Sequence, residues 1–203
     1  MEWFMDSRFE PAYKAAADVI ENMKYDGKMV SINDVIAVVR DKKQVKILIG
    51  MIDFAELGDI EGDYGQCGAA MSVPTEQNQE APQVAKILVN SHFSPEHRRF
   101  SIVHELGHLM TGFHTATTSE NRFKVSMHID ADITSIDEDM LKKDDLYVNE
   151  QIANIFALLV LMPKQAFVTA RNLLKSESLI AQYFGVEKDA VYSRIKLFEK
   201  YGR

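Results

Sequence analysis

The sequence predicts an α+β fold, with a small sheet of about three strands packed on a histidine-containing helix and a helical C-terminal part. Three strand patterns, QVKILIGMI, QCGAAMSV and VAKILVN, lie together between residues 44 and 90. Helical patterns stand before and after this stretch and not between its strands, which argues against repeated βαβ units. The histidine-containing helix, HRRFSIVHELGHLM, follows the last strand closely.

Two helices are predicted before the sheet. Pro11 stands in the first turn of the first helix, and AYKAAADVIENM has apolar residues at helical spacing. Ser31 is a candidate N-cap for the second helix, INDVIAVVRD. Between the last two strand patterns, the polar loop PTEQNQEAP predicts the tip of a hairpin.

The histidine-containing helix has well-marked ends. Ser94 is a candidate N-cap, Pro95 suits the first helical position, and Glu96 complements the helix dipole. Gly112 suits the position just past the end of a helix. These residues predict that one helix contains the whole His-Glu-Leu-Gly-His segment.

An acidic connection separates this helix from the next one. The chain is polar and acidic from about 114 to 147, and VNEQIANIFALLVLM then predicts a buried helix that Pro163 stops. Its acidic run at 137–145 is most simply a solvated loop; a calcium site is the alternative, but the run lacks the ordered spacing of a calcium-binding loop.

The C-terminal part is predicted to be helical. One helix is expected near 164–175, and LIAQYFGVEKDAVYSRIKLFEKYG predicts two more around Gly185. We therefore divide the chain into a first domain, 1–163, and a helix-turn-helix-like part, 164–203, packed on it.

The composition excludes several classes of protein. Of the 203 residues, 46% are hydrophobic and 26% charged, and the formal net charge of -7 argues against a surface dedicated to nucleic acid or anionic membrane. Cys67 is the only cysteine, which excludes an intramolecular disulfide and a cysteine-based zinc site. No signal-peptide pattern and no run of about 18 apolar residues is present, so we expect a cytoplasmic protein without a membrane span.

The segment His-Glu-Leu-Gly-His predicts a zinc site. On a helix His104 and His108 share a face and can bind one ion. Glu105 points beside that ion, where a carboxylate can take a proton from zinc-bound water. Gly107 leaves the helix surface bare next to the ligands, so a substrate or another element can approach.

Catalytic zinc needs a third protein ligand, and His114 is the first candidate. It lies six residues after His108, the spacing of HExxHxxGxxH metalloproteases. In that pattern the turning glycine comes three residues after the second histidine, whereas position 111 here is threonine and the glycine is Gly112. This register argues against His114 as the ligand.

Glu150 is the second candidate. It opens the apolar helix NEQIANIFALLVLM, where it is either a ligand or an exposed first-turn residue that serves the helix dipole. Asn154 lies one turn further on the same face and could hydrogen-bond a ligand or the substrate backbone. Ala153 is small enough to permit close approach of the first helix. The residues themselves leave both roles of Glu150 open.

Three ordered motifs resemble those of the ImmA/IrrE family of metallopeptidases. HRRFSIVHELGHLM, EQIANIFA and LVLMP match the family patterns R-x-R-F-[ST]-x-A-H-E-[LI]-G-H, E-x-x-A-N-x-F-A and L-[LM]-P. The matching segments span roughly 84–163. Val103 stands where alanine is usual, and the connection 114–147 is longer than we would expect for the family.

The resemblance implies a gluzincin-like minimal metallopeptidase fold and a set of site residues. His104, His108 and Glu150 would bind Zn²⁺, and Glu105 would be the general base. Members of the family cleave helix-turn-helix repressors, often in mobile elements such as phages or in stress responses, and others act in toxin–antitoxin-like pairs. The resemblance therefore implies a protein substrate or partner of regulatory type.

Several residues are candidates for supporting roles. His97 lies seven residues before His104 and could line the cleft, and Tyr147 or His128 could stabilise the oxyanion. Arg98 and Arg99 could orient the substrate, although solvated or ion-paired positions fit them as well.

The function expected from these observations is zinc-dependent hydrolysis of a peptide bond. An edge strand near VAKILVN is expected to pair with an extended substrate and to present its carbonyl to the metal. One alternative is a DNA-binding regulator that uses the helix-turn-helix-like part, with Arg194 and Lys196 as contacts; the mixed charge of that helix argues against nucleic acid as a partner. A second is a binding module with a structural zinc.

Overall fold

The computed structural model describes residues 7–23, 25–27, 29–53, 69–72, 84–112 and 145–202. The described part of the chain is a mostly helical α+β fold, as predicted. Cys67, His114, His128 and most of the acidic connection lie outside the described residues.

Two helices precede the sheet. A short 3-10 turn, Ser7–Phe9, leads into α1, Glu10–Asn22, and α2 spans Ile32–Lys43. The predicted cap of α2 is confirmed, because Ser31 Oγ accepts a hydrogen bond from the backbone N–H of Asp34 at 3.3 Å.

The sheet has the strand order β1-β3-β2, with β1 at Lys46–Ile52, β2 at Ala69–Ser72 and β3 at Val84–Asn90. β1 is parallel to β3, and β2 is antiparallel to it. Among the described strands, β1 and β2 are therefore the edges of the sheet, and VAKILVN forms the central strand β3. Its nearly continuous apolar run is typical of such an internal strand.

In the described part of the chain, five helices follow the sheet: α3 at Pro95–Thr111, α4 at Asp145–Leu161, α5 at Lys164–Leu174, α6 at Glu177–Phe184 and α7 at Lys188–Tyr201. α4 is the central helix, and every residue from Ile152 to its end is buried. It packs against α1 and α3, and α3 also contacts β2 and β3. This arrangement places α3 where it can share a site with α4.

Arg194 on α7 packs the two last helices, α6 and α7, against the preceding part of the fold. This side chain is fully buried, donates from Nε to the backbone carbonyl of Met162 at 3.1 Å, and lies 4.8 Å from the centre of the Phe167 ring. Burial lowers the pKa of Arg194 to about 10. The expectation that Arg194 could contact DNA is therefore wrong, because an apolar environment encloses its guanidinium.

Among the described helices, no single one is long and apolar enough to cross a membrane. The one pair that passes by length and composition, Tyr147–Leu161 with Lys164–Leu174, is bent by 66°.

Candidate metal centre

The sequence of α3 fixes the register of its two site histidines. Ser94 Oγ accepts from the backbone N–H of His97 at 3.0 Å, which caps the start of the helix. Gly112 ends it in the left-handed conformation, with φ of 82°, and donates to the carbonyl of His108. His104 and His108 are therefore one turn apart on one face, and both are buried.

Glu150 on α4 meets both histidines. Its Oε2 lies 3.1 Å from Nε2 of His104 and its Oε1 lies 3.3 Å from Nε2 of His108. The two Nε2 atoms are themselves 3.1 Å apart. These three side chains are the one group of potential metal ligands found in the described part of the chain. Two of these residues lie on α3 and the third lies on α4.

The position of Glu150 argues against one of its two predicted roles. α4 begins at Asp145, three residues earlier than the expected start at Val148, so Glu150 lies in the second turn of the helix and not in the first. Its side chain is only 11% exposed. An exposed residue that serves the helix dipole is therefore excluded, and the carboxylate must be stabilised by partners in the interior.

Gly107 permits the close approach of α3 and α4. A Cβ atom at this position would lie 2.9 Å from Cδ1 of Phe156 and 3.2 Å from Cα of Ala153. The neighbour that uses the bare helix surface is therefore α4, and Ala153 is the small residue opposite, as expected. This contact brings Glu150 to the level of the two histidines.

Asn154 fixes the orientation of the His104 ring. Its Oδ1 lies 2.8 Å from Nδ1 of His104, one helical turn beyond Glu150, and the side chain is fully buried. When Nδ1–H donates to this amide oxygen, Nε2 carries a lone pair that points towards Glu150 and His108. Asn154 therefore contacts His104, one of the residues that the sequence predicts to bind the metal.

The electrostatics of the cluster favour a charged carboxylate. Burial alone would raise the pKa of Glu150, but hydrogen bonds from His104 and His108 and their positive charge lower it to about 2. Burial alone would likewise lower the pKa of His104, but Glu150, Glu105 and Asn154 outweigh it and raise that pKa. The cluster is therefore built to pair a buried anion with positive charge.

The donor set fits a divalent metal ion. When the Nδ1–H of a neutral His104 ring donates to Asn154, the Nε2 atom faces the oxygen of Glu150 with a lone pair. Two acceptors at 3.1 Å repel each other unless a proton or a cation lies between them. Two imidazole nitrogens and one carboxylate oxygen are a donor set that a first-row divalent metal accepts. The buried His104, His108, Glu150 cluster could thus bind such an ion.

Glu105 lies on α3 directly after His104 and is only 3% exposed. Its charge contributes to the raised pKa of His104, which places the carboxylate within the electrostatic reach of the cluster. Tyr147 lies on α4 one turn before Glu150, where it is partly buried against the hydrophobic core.

The remaining predicted residues lie elsewhere. His97 stacks on Phe93, with ring centres 4.2 Å apart, and its Nδ1 lies 3.0 Å from the carboxylate of Glu187. Arg98 donates to the carbonyl of Ser91 at 3.2 Å. These contacts tie the start of α3 to its surroundings.

Arg99 has a role that the sequence analysis missed. Its Nε donates to the carbonyl of Gly185 at 3.0 Å and its Nη2 to the carbonyl of Val30 at 2.8 Å. The side chain is half-buried and links α3 to two distant backbone segments. Its acceptors lie 69 and 86 residues away in sequence, so no local pattern could reveal them.

Comparison with solved structures gives a match to a Mycobacterium tuberculosis transcriptional regulator, with a TM-score of 0.49 and 16% sequence identity. The match covers 96% of this chain and 49% of the other, so the chain spans about half the length of that protein. A comparison with curated proteins gives no significant match.

A protein-family model provides the assignment. The model described as the IrrE N-terminal-like domain, of a peptidase family, matches residues 71–196, which is more than half of the chain. The matched range contains both site histidines and Glu150, together with most of the C-terminal helices. The resemblance noted from the motifs is confirmed, and the chain belongs to the ImmA/IrrE family of IrrE N-terminal-like domains.

Proposed function

We propose that this chain is a zinc-dependent endopeptidase. The observation that carries the proposal is the spacing of the ligand atoms. A tetrahedral zinc ion with bonds of about 2.0–2.1 Å holds its ligand atoms about 3.3 Å apart. The Nε2 atoms of His104 and His108 are 3.1 Å apart, and each lies within 3.3 Å of a different oxygen of the Glu150 carboxylate. With one ligand atom from each residue, the three atoms lie within 4.8 Å of one another. Three protein ligands also leave one position for the reacting groups, as catalytic zinc requires.

Zinc in this site would act as a Lewis acid that polarises a peptide carbonyl and lowers the pKa of water. Glu105 takes the proton from the water whose oxygen attacks the carbonyl carbon. It then passes that proton to the amide nitrogen as the C–N bond breaks, so that an acid and an amine leave. A carboxylate directly after a ligand on the same helix suits this transfer.

The other residues orient the site. Asn154 keeps Nε2 of His104 free to act as a ligand, and the anionic Glu150 offsets part of the charge of the ion. Tyr147, one turn before Glu150, is the candidate donor to the oxyanion. In this proposal His97 does not line the cleft, because its contacts are with Phe93 and Glu187.

The proposed substrate is a regulatory protein in the cytoplasm, specifically a helix-turn-helix repressor. This part of the proposal rests on the family resemblance. β3 is paired with β1 on one side and with β2 on the other, so an extended substrate cannot add to the sheet beside β3.

The first experiment measures metal content. Purified wild-type chain is expected to bind one zinc ion. Glu105→Gln should retain the ion, because Glu105 is not a ligand, whereas Glu150→Ala should lose it. Glu199→Ala, which changes an exposed carboxylate on α7, is the control. Stoichiometric zinc in Glu150→Ala would show that Glu150 is not a ligand.

The second experiment measures cleavage. The chain is incubated with the repressor encoded beside it, with and without a chelator. Cleavage by wild type that both Glu105→Gln and the chelator abolish is the expected result. A chain that binds zinc and acts equally well with Glu105→Gln would instead be a binding module with a structural zinc.

A further inference from the structure

The turn between α6 and α7 contacts the start of the metal-site helix α3. The carboxylate of Glu187 accepts from Ser94 Oγ at 2.8 Å and lies 3.0 Å from Nδ1 of His97. The carbonyl of Gly185 accepts from Arg99 at 3.0 Å. The turn between α6 and α7 therefore contacts three side chains at the start of α3, namely that of the N-cap residue Ser94 and those of His97 and Arg99.

The side chain of Glu187 contacts residues at the start of α3 and not the backbone of α7, the helix that it precedes. It occupies the N-cap position of α7, yet its side chain makes no capping hydrogen bond there. It binds instead the hydroxyl of Ser94, which itself caps α3 by accepting from the backbone of His97. A carboxylate at this place also complements the positive end of the α3 dipole.

The turn can approach α3 so closely because residue 185 is glycine. Gly185 has φ of 63°, and a Cβ atom there would lie 2.4 Å from Sδ of Met29 and 3.3 Å from Nε of Arg99. A side chain there would strain the left-handed backbone, displace the side chain of Met29 and crowd that of Arg99 on α3. The local chain is therefore shaped to bring Glu187 to Ser94 and His97.

A change at the start of α3 reaches the ligands because the helix is continuous between them. His97 precedes His104 by seven residues, about 10 Å along the axis. The third ligand, Glu150, is on a different helix, so the geometry of the centre depends on how α3 lies relative to α4. A hydrogen-bonded clamp at one end of α3 restrains that relation.

We propose that Glu187 is a positioning residue for the metal centre: by holding Ser94 and His97 it fixes α3 so that His104 and His108 face Glu150. This inference rests on the proposed zinc site. It assigns the turn of the helix-turn-helix-like part a role within the peptidase fold.

The test measures the zinc affinity of the whole chain by competition with a chromogenic chelator, well below the unfolding temperature. Glu187→Ala is expected to weaken zinc binding by about fivefold, the low end of a coupling between separated sites. Glu187→Gln should bind more tightly than Glu187→Ala, because its amide oxygen still accepts from Ser94. If Glu187→Ala does not fold, Glu187→Gln is compared with wild type instead, and a weaker affinity supports the role.

The control is Glu199→Ala. Glu199 is on α7, the helix that Glu187 precedes, is 48% exposed against 45% for Glu187, and has a side-chain partner of its own, Arg171. It should bind zinc as wild type does. Wild-type affinity in both Glu187 variants, with only a lower unfolding temperature, would overturn the positioning role and leave the proposed function intact. A wild-type chain that binds no zinc overturns both.

Discussion

The two halves of α3 are held in different ways. The half that carries His104 and His108 is buried, and at Gly107 it touches α4 so closely that a Cβ would lie 2.9 Å from Phe156. The half that begins at Ser94 is partly exposed and is held by hydrogen bonds to the α6–α7 turn and to Val30. Close packing sets the distance between α3 and α4, whereas directional bonds set the position of the first end along its neighbours.

Removal of the metal should lower the free energy of unfolding more than any substitution in either half of α3, because zinc would join the buried half of α3 to α4. At free zinc about 100 times the dissociation constant, binding adds about 2.7 kcal/mol to the free energy of unfolding. We expect a chelator to lower the unfolding temperature of wild type and to leave that of Glu150→Ala unchanged. The measurement is thermal unfolding with and without chelator. An equal shift in both proteins would contradict the assignment of Glu150.

The buried half was the easier one to predict from the sequence. Its cap, its terminal glycine and its two histidines are all local features, and the spacing of the histidines alone places them on one face. The role of Glu150 was left open because burial depends on where α4 begins. The expected start came too late, since Asp145 and the residues after it resemble the acidic connection before them.

The features that the sequence did not reveal depend on distant partners. Arg99 and Arg194 are both cations that a sequence places at the surface, yet their acceptors are backbone carbonyls far away in the chain. The central position of β3 likewise depends on β1, whose parallel pairing involves residues about 38 positions apart. Such contacts are properties of the folded chain and leave no local pattern.

Arg99→Met should have the second-largest effect, on the hydrogen-bonded half. It removes both bonds to the carbonyls of Val30 and Gly185 and leaves these acceptors without their cation. Because the side chain is partly exposed, we expect a loss of roughly 2 kcal/mol in the free energy of unfolding. The measurement is urea unfolding. Arg98→Met, which removes a single bond to Ser91, is the matched control and should cost less than half as much; equal losses would refute the linking role of Arg99.

Gly107→Ala changes the buried half of α3. It should change the free energy of zinc binding more than the free energy of unfolding. A helix gains about 1 kcal/mol when alanine replaces glycine, which offsets part of an overpacking cost of about 1–3 kcal/mol. The added methyl still forces α3 away from Ala153 and Phe156. Since ligands must be placed within about 0.5 Å, we expect zinc affinity to fall about tenfold.

A second substitution makes this result specific. Phe156→Leu on the Gly107→Ala background removes the aromatic carbon nearest to the new methyl. Part of the zinc affinity should return, although Phe156→Leu alone gains nothing. Unchanged zinc affinity in Gly107→Ala would mean that the spacing of α3 and α4 does not control the site.

Ser94→Ala should have the smallest effect and distinguishes an ordinary cap from the clamp. Loss of a serine cap costs about 1 kcal/mol, and Ser31→Ala on α2 is the matched change, with a single capping bond of 3.3 Å. Ser94 both accepts from His97 and donates to Glu187, so its removal releases two partners. Urea unfolding should show a larger loss for Ser94→Ala, and zinc titration should show weaker binding for that variant alone. If the two variants lose equal stability and keep full zinc affinity, then Ser94 is a cap like any other, and the hydrogen-bonded end of α3 has no influence on the packed end.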